Sequence, residues 1–193
     1  MAAFCGIILR NILVVMVKEP HPGRVKTRLG RGIGLVPAAW WFRHQVRRLL
    51  REVADPRWEV VLAVSPDREG LESRVWPAQF ARMAQGSGDL GCRMGRMFAQ
   101  LPGRVCVIGA DIPGVRKYHI ARAFAEMGRS DAVFGPSEDG GYWLIGLRRL
   151  PAGAFEGVRW SSPHALADTQ RSLGGMRVAH IDMLRDVDTV EDL

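Results

Sequence analysis

Cations gather in one short stretch, Lys18-Glu19-Pro20-His21-Pro22-Gly23-Arg24-Val25-Lys26-Thr27-Arg28-Leu29. Gly23 lets a backbone approach an anion closely, and Lys18, Arg24, Lys26 and Arg28 can give charge-assisted hydrogen bonds to phosphate oxygens. Asp111, in Gly109-Ala110-Asp111-Ile112-Pro113, follows an apolar run. A carboxylate at such a strand end can ligate Mg2+ or Mn2+, which take oxygen donors and bridge to phosphates; it can equally cap the next turn. Residues 135–146 hold Glu138-Asp139-Gly140-Gly141-Tyr142. That loop can wrap a polar ring, with Asp139 for hydroxyls and Gly140 and Gly141 for close approach, or it is a plain hairpin turn. Gly88 and Asp89, in Gln85-Gly86-Ser87-Gly88-Asp89, precede a helical pattern and read as an anion-binding helix start or a simple cap. Asp186 and Asp188 alternate near the end of the chain. In extended backbone they share a face, where one of them can complete a metal site with Asp111 or lie in a solvated acidic tail. Thr189 can cap a final turn, with Asp192 three residues on.

Several chemistries are excluded. The first loop has neither GxxxxGK[ST] nor GxGxxG spacing, no GxSxG occurs, and none of the five histidines stands beside a nucleophilic Ser or Cys. Three dispersed cysteines give no zinc spacing and no disulfide framework, which suggests a reducing, cytoplasmic setting. The net charge of +7 comes from 27 basic and 20 acidic residues, and the basic residues are nearly all arginine, spread along the chain. That spread is a compositional bias and not a nucleic-acid footprint. Against it, the placement of two of the three lysines, Lys18 and Lys26, in one loop marks that loop as special. The apolar stretch 2–17 is broken by Arg10 and Asn11 and is too short to span a bilayer.

With 193 residues, 47% of them hydrophobic, the chain suits one domain, 1–193, in which 1–10 form a short extension. Apolar runs of strand length at 11–17, 58–65, 80–84 and 104–110 alternate with helical patterns at 37–53, 69–75, 89–101 and 118–127. Pro37 fits the first turn of its helix. Strands at 131–136 and 142–147 have too short a link for a parallel crossover, which predicts a local antiparallel pair. A helix at 164–173 and a strand at 176–181 follow. The alternation predicts an α/β fold: a mostly parallel, Rossmann-like sheet with helices on both faces and ligand-binding loops along one edge.

In order, the segments KEPHPGRVKTRL, QGSGDLGCRM, GADIPG, FGPSEDGGYWLIGL and DVDTVEDL resemble a bacterial family of small glycosyltransferases. That family is related to the MobA-like and CofC-like nucleotidyltransferases of the nucleotide-diphospho-sugar transferase (GT-A) superfamily. The resemblance spans residues 11–193. It implies a GT-A fold, a nucleotide or nucleotide-sugar ligand, a small-molecule acceptor and a divalent metal, Mg2+ or Mn2+. It carries metal ligation onto Asp111 and Asp188, and phosphate binding onto Lys18, Gly23, Arg24, Lys26 and Arg28. Gly88, Asp89, Asp139, Gly140, Gly141 and Tyr142 complete the expected substrate contacts. Lys26 would neutralise the leaving diphosphate, and Asp139 would take the acceptor's proton in an inverting reaction. The glycine-dense loop usual in nucleotidyltransferases is replaced by Lys18-Glu19-Pro20-His21-Pro22-Gly23. That departure favours transfer from a ready-made NDP-sugar over nucleotidyl transfer with pyrophosphate release. A non-catalytic nucleotide-sugar binder is the third reading.

Overall fold

The computed structural model describes residues 10–185, 187 and 189–192; the expected metal ligand Asp188, its neighbour Asp186 and nearly all of the 1–10 extension lie outside them. Seven strands form one sheet: β1 (Asn11–Lys18), β2 (Glu59–Ser65), β3 (Ala81–Ala84), β4 (Arg104–Gly109), β5 (Ala132–Pro136), β6 (Tyr142–Leu147) and β7 (Val178–His180). Their order is β3-β2-β1-β4-β6-β5-β7. Parallel ladders join β1 to β2 and β4, β2 to β3, and β5 to β7. Only β6 runs the other way, antiparallel to both β4 and β5. The short link between β5 and β6 allows nothing else.

The sheet is covered on both faces, which is why β1 and β4 read as unbroken apolar runs. Side chains alternate: Leu13, Val15 and Val17 enter one core cluster, Ile12 and Val14 the other. The first cluster is closed by α2 (Leu35–Val53), which buries Ala39, Phe42, Val46, Leu49 and Leu50, and by α5 (Lys117–Glu126). The second is closed by α4 (Leu90–Gln100), through Met94, Met97 and Phe98, with Phe155 and Leu173 beside them. Each such large side chain contributes about 1.5–3 kcal/mol by leaving water. The remaining helices are α1 (Thr27–Ile33), α3 (Asp67–Glu72) and α6 (Ala165–Ser172).

One element departs from the sequence reading. The stretch that begins at Thr27 is helical, so Arg28 stands on α1 and not in a loop. Gly30 and Gly32 hide this helix from propensity arguments. Packing supplies the reason for it: a Cβ at Gly30 would lie 2.8 Å from Leu35, so α1 and α2 meet where glycine leaves room. Among the described residues, no helix is long and apolar enough to cross a membrane.

Candidate active site

The carboxyl ends of β1 to β5, β6 excepted, share one edge of the sheet. From β1 the chain moves to β2 and β3 on one side and later to β4 on the other, so loops diverge between β1 and β4. Such a switch point opens a crevice in which α/β sheets bind ligands. The loop after β1 and the turn after β4 line it.

Across this crevice the Lys26 ammonium lies 2.8 Å from Asp111 Oδ2. The Lys26 side chain is 5% exposed and the Asp111 side chain 35%, so the cation is sequestered while the carboxylate still meets solvent. Lys26 also has a left-handed backbone (φ 46°, ψ 46°) at the start of α1. A residue with a Cβ adopts that conformation at a cost of about 1–2 kcal/mol. The two residues whose types suggested phosphate and metal chemistry are thus brought together from segments 85 positions apart.

The rest of the first loop is organised by its own backbone and by α3. His21 N–H donates to Glu19 O and Arg24 N–H to His21 O, while Gly23 takes φ 79°. His21 pairs with Glu69, and Arg24 Nη1 lies 3.7 Å from the same carboxylate. Lys18, Gly23, Arg24 and Arg28 are exposed. Glu19 is buried, a residue the sequence reading passed over: Oε1 accepts from Ser73 Oγ at 2.7 Å, and Oε2 has no hydrogen-bond partner among the described residues. Its only sequence signal is an acid directly after an apolar strand.

Gly88 and Asp89 lie beyond β3, two strands from β1. Asp89 caps α4, accepting from Cys92 N–H at 2.8 Å, and this bond holds its carboxyl below the usual range. The loop before it is anchored by Gln85. This buried amide donates to Val17 O and Ala63 O, and Asp67 Oδ1 accepts from Gly86 N–H. Gln85 thereby ties the ends of β1, β2 and β3 together, a role visible only once the strands are neighbours.

The 137–141 loop is a hairpin turn, as one of its two sequence readings held. Ser137 N–H donates to Gly141 O, and Asp139 Oδ1 accepts from Gly141 N–H at 2.9 Å. Asp139 is exposed at the same sheet edge as Asp111. Gly140 has φ 83°, and a Cβ there would lie 2.3 Å from Pro163 O. The Tyr142 hydroxyl is 3.3 Å from Thr169 Oγ1, and burial pushes its pKa up. Behind the loop, Asp168 is buried beneath Arg159 and Arg171, another residue that the sequence reading did not single out.

The chain's last segment joins these parts. Leu184 N–H donates to Pro136 O and Val187 N–H to Asp111 O at 3.4 Å, and Val190 packs on Gly32. Thr189 and Asp192 form the anticipated capping pair, with Thr189 N–H donating to Asp192 Oδ2 at 2.8 Å. Among the described residues no cluster of three or more His, Cys, Asp or Glu side chains could hold a metal. Asp111 offers a part-exposed hard oxygen donor beside Lys26.

Residues 49–162 match the family described as "Uncharacterized protein conserved in bacteria (DUF2064)". No curated protein matches the sequence. Among solved structures, one from Desulfovibrio desulfuricans G20, provisionally named a nucleotide-diphospho-sugar transferase, is similar with a TM-score of 0.81 and 31% identity, over 94% of this chain and 84% of that one. Rv0371c of Mycobacterium tuberculosis H37Rv, crystallised with manganese, superposes with a TM-score of 0.57 at 14% identity over 95% of each chain. A CMP:2-keto-3-deoxy-manno-octonic acid synthetase complexed with CTP gives a TM-score of 0.58 at 12% identity over 93% of each chain.

Proposed function

The chain belongs to the DUF2064 family, and from that premise we propose that it is a transferase, a glycosyltransferase that uses a nucleotide-diphospho-sugar donor. The observation that carries this reading is the sequestered Lys26 ammonium beside Asp111 at the switch point. A diphosphate entering the crevice meets an ammonium already desolvated and oriented, where a charge-assisted bond contributes about 1.5–3 kcal/mol. Lys18, Arg24 and Arg28 add exposed cations around it. Gly140, Gly141 and Tyr142 border the sugar, and Gly88 and Asp89 the far end of the nucleotide. The name of the Desulfovibrio relative supports the donor class.

A divalent ion fits this residue set. Mg2+ and Mn2+ are commonly held by one or two carboxylates plus substrate phosphates, and Asp111 offers a part-exposed carboxylate where those phosphates would lie. Asp188 is the proposed second ligand. Bound there, the ion would stabilise negative charge on the departing diphosphate. This chain's own residues do the rest. As the bond from the anomeric carbon to the β-phosphate oxygen breaks, Lys26 neutralises the oxygen that departs. As the acceptor oxygen bonds that carbon, Asp139 takes its proton.

Nucleotidyl transfer from an NTP is the second reading, favoured by the fold shared with a CTP-bound synthetase. A thermal-shift screen of NDP-sugars and NTPs, with and without Mn2+, tests both. A donor at 100 times its Kd stabilises the folded state by about 2.7 kcal/mol, a rise of roughly 5–10 °C for a chain of this size. Stabilisation by an NDP-sugar is expected, and greatest with metal. Stabilisation by NTPs alone would favour the second reading, and no shift with any nucleotide would defeat both.

A further inference from the structure

The second half of α2 and the segment 73–80 enclose a cleft of about 830 Å3 that the transfer chemistry does not use. Ser73, at one end of its wall, donates to Glu19 of the first loop, and the rest of the cleft extends toward the opposite sheet edge. α2 leads from the crevice side to β2, whose first residue marks the opposite sheet edge, and Phe80 directly precedes β3, which runs parallel to β2.

Four arginines line the cleft, Arg47, Arg51, Arg74 and Arg82, and no Asp or Glu does. Arg82 donates to the carbonyls of Gly70, Leu71, Ser73 and Trp76, and so fixes the path of the wall. Arg47 uses one nitrogen on Val75 O. The Arg51 and Arg74 residues are exposed, and their side chains make no hydrogen bond or ion pair with any described residue. Trp76 also lines the cleft and is 3% exposed. Phe80 and the Arg stems supply apolar wall.

We propose that this cleft is a second binding site, for a small organic anion: a phosphate or carboxylate on an apolar, planar body. Guanidinium groups bind oxyanions in bidentate fashion and stack on planar rings. The volume falls within the range of small-molecule pockets, about 300–1,000 Å3. Concentrated positive charge with no counter-acid in the lining attracts an anion and disfavours a neutral occupant.

Calorimetry with 1-naphthyl phosphate tests this, with inorganic phosphate and 1-naphthol as the two separated halves. The intact probe is expected to bind at least about tenfold more tightly than either half. Arg51→Glu with Arg74→Glu, both on exposed positions, should weaken it by about tenfold or more, the loss expected for charge-assisted bonds. Lys26→Ala should leave it unchanged. Absence of binding, equal affinity in the Arg51→Glu/Arg74→Glu protein, or loss on Lys26→Ala would each overturn the proposal. Phosphate binding as tightly as the probe would remove the organic body from it. Tighter binding of an octa-glutamate peptide at the same arginines would replace the small anion with an acidic protein segment.

Discussion

Lys26 combines two features that oppose each other. Its backbone is left-handed, a region that favours glycine, while its side chain is nearly fully buried against Asp111. Strain that persists in a structure is held there by surrounding contacts, and it clusters at functional sites. Two substitutions separate backbone from charge. Lys26→Gly and Lys26→Ala both remove the ammonium, but only alanine keeps a Cβ in the unfavourable region. In urea unfolding, the Gly variant should be the more stable of the two by about 1 kcal/mol. Both should lose nucleotide affinity by roughly tenfold or more, because a desolvated charge-assisted bond is gone. Arg148→Ala and Arg149→Ala, on an exposed turn, should bind nucleotide like the parent protein. Indistinguishable affinities across all four variants, measured by calorimetry, would end the phosphate role of Lys26. Equal stability of the Gly and Ala variants would show that the backbone there carries no strain.

At the scale of elements, the hairpin loop 137–141 depends on α6 behind it. Leu166 N–H donates to Gly140 O, and Gly140 abuts the Pro163 backbone. Gly140→Ala should therefore destabilise the protein by more than about 1 kcal/mol, since φ is positive and there is no room; a stability equal to the parent's would mean that the loop is loosely held. The helix itself is fastened by Asp168, which accepts from Arg159 Nε at 2.8 Å and from Arg171 Nη1 at 2.9 Å. The Arg159 guanidinium, more than any other group, holds this carboxyl well below the usual carboxylate range. A depressed pKa in the folded state gives stability that is complete above the unfolded value and is lost as pH falls from there through the depressed folded value. Asp168→Asn should thus lower stability near pH 7, and the gap to the parent should begin to narrow below about pH 4 and go on narrowing as pH falls towards the depressed folded value; a gap independent of pH would exclude the charge as its cause. Elements of this kind differ in how far the sequence discloses them. β1, β4 and the β5–β6 pair are visible as apolar runs with turn residues between them, because both faces of the sheet are covered. Helix α1 is not visible, because Gly30 and Gly32 lower its propensity and the contact with Leu35 that favours it is tertiary. Lys26 and Asp111 could be singled out by residue type and position, but their pairing depends on β1 and β4 being neighbours. Glu19, Gln85 and Asp168 look like ordinary polar residues until three strands or two helix-flanking segments converge on them.

At the scale of the molecule, the crevice is assembled from segments far apart in the chain. The first loop crosses the switch point, the turn after β4 faces it, and the last segment runs from β5 past Asp111 to α1. The character of that assembly bears on which transfer it catalyses. A nucleotidyltransferase must hold three phosphates and align the α-phosphorus for in-line attack. Consecutive backbone N–H groups usually form such a cradle. Here Pro20 and Pro22 have no N–H, and those of His21 and Arg24 close turns onto Glu19 O and His21 O. The side-chain donors of this loop are the sequestered Lys26, with Lys18, Arg24 and Arg28 exposed around it. A few charged side chains suit a diphosphate that departs with its charge neutralised better than a triphosphate gripped along its length. The expected outcome is that the protein, supplied with Mn2+ or Mg2+, binds or slowly hydrolyses an NDP-sugar and releases no pyrophosphate from NTPs offered with sugar phosphates. A coupled pyrophosphate assay across the four common NTPs, run beside an NDP-release assay on UDP- and GDP-sugars, decides it. Sustained pyrophosphate release dependent on Lys26 would reverse the order of the two readings, because the same ammonium would then be serving a triphosphate.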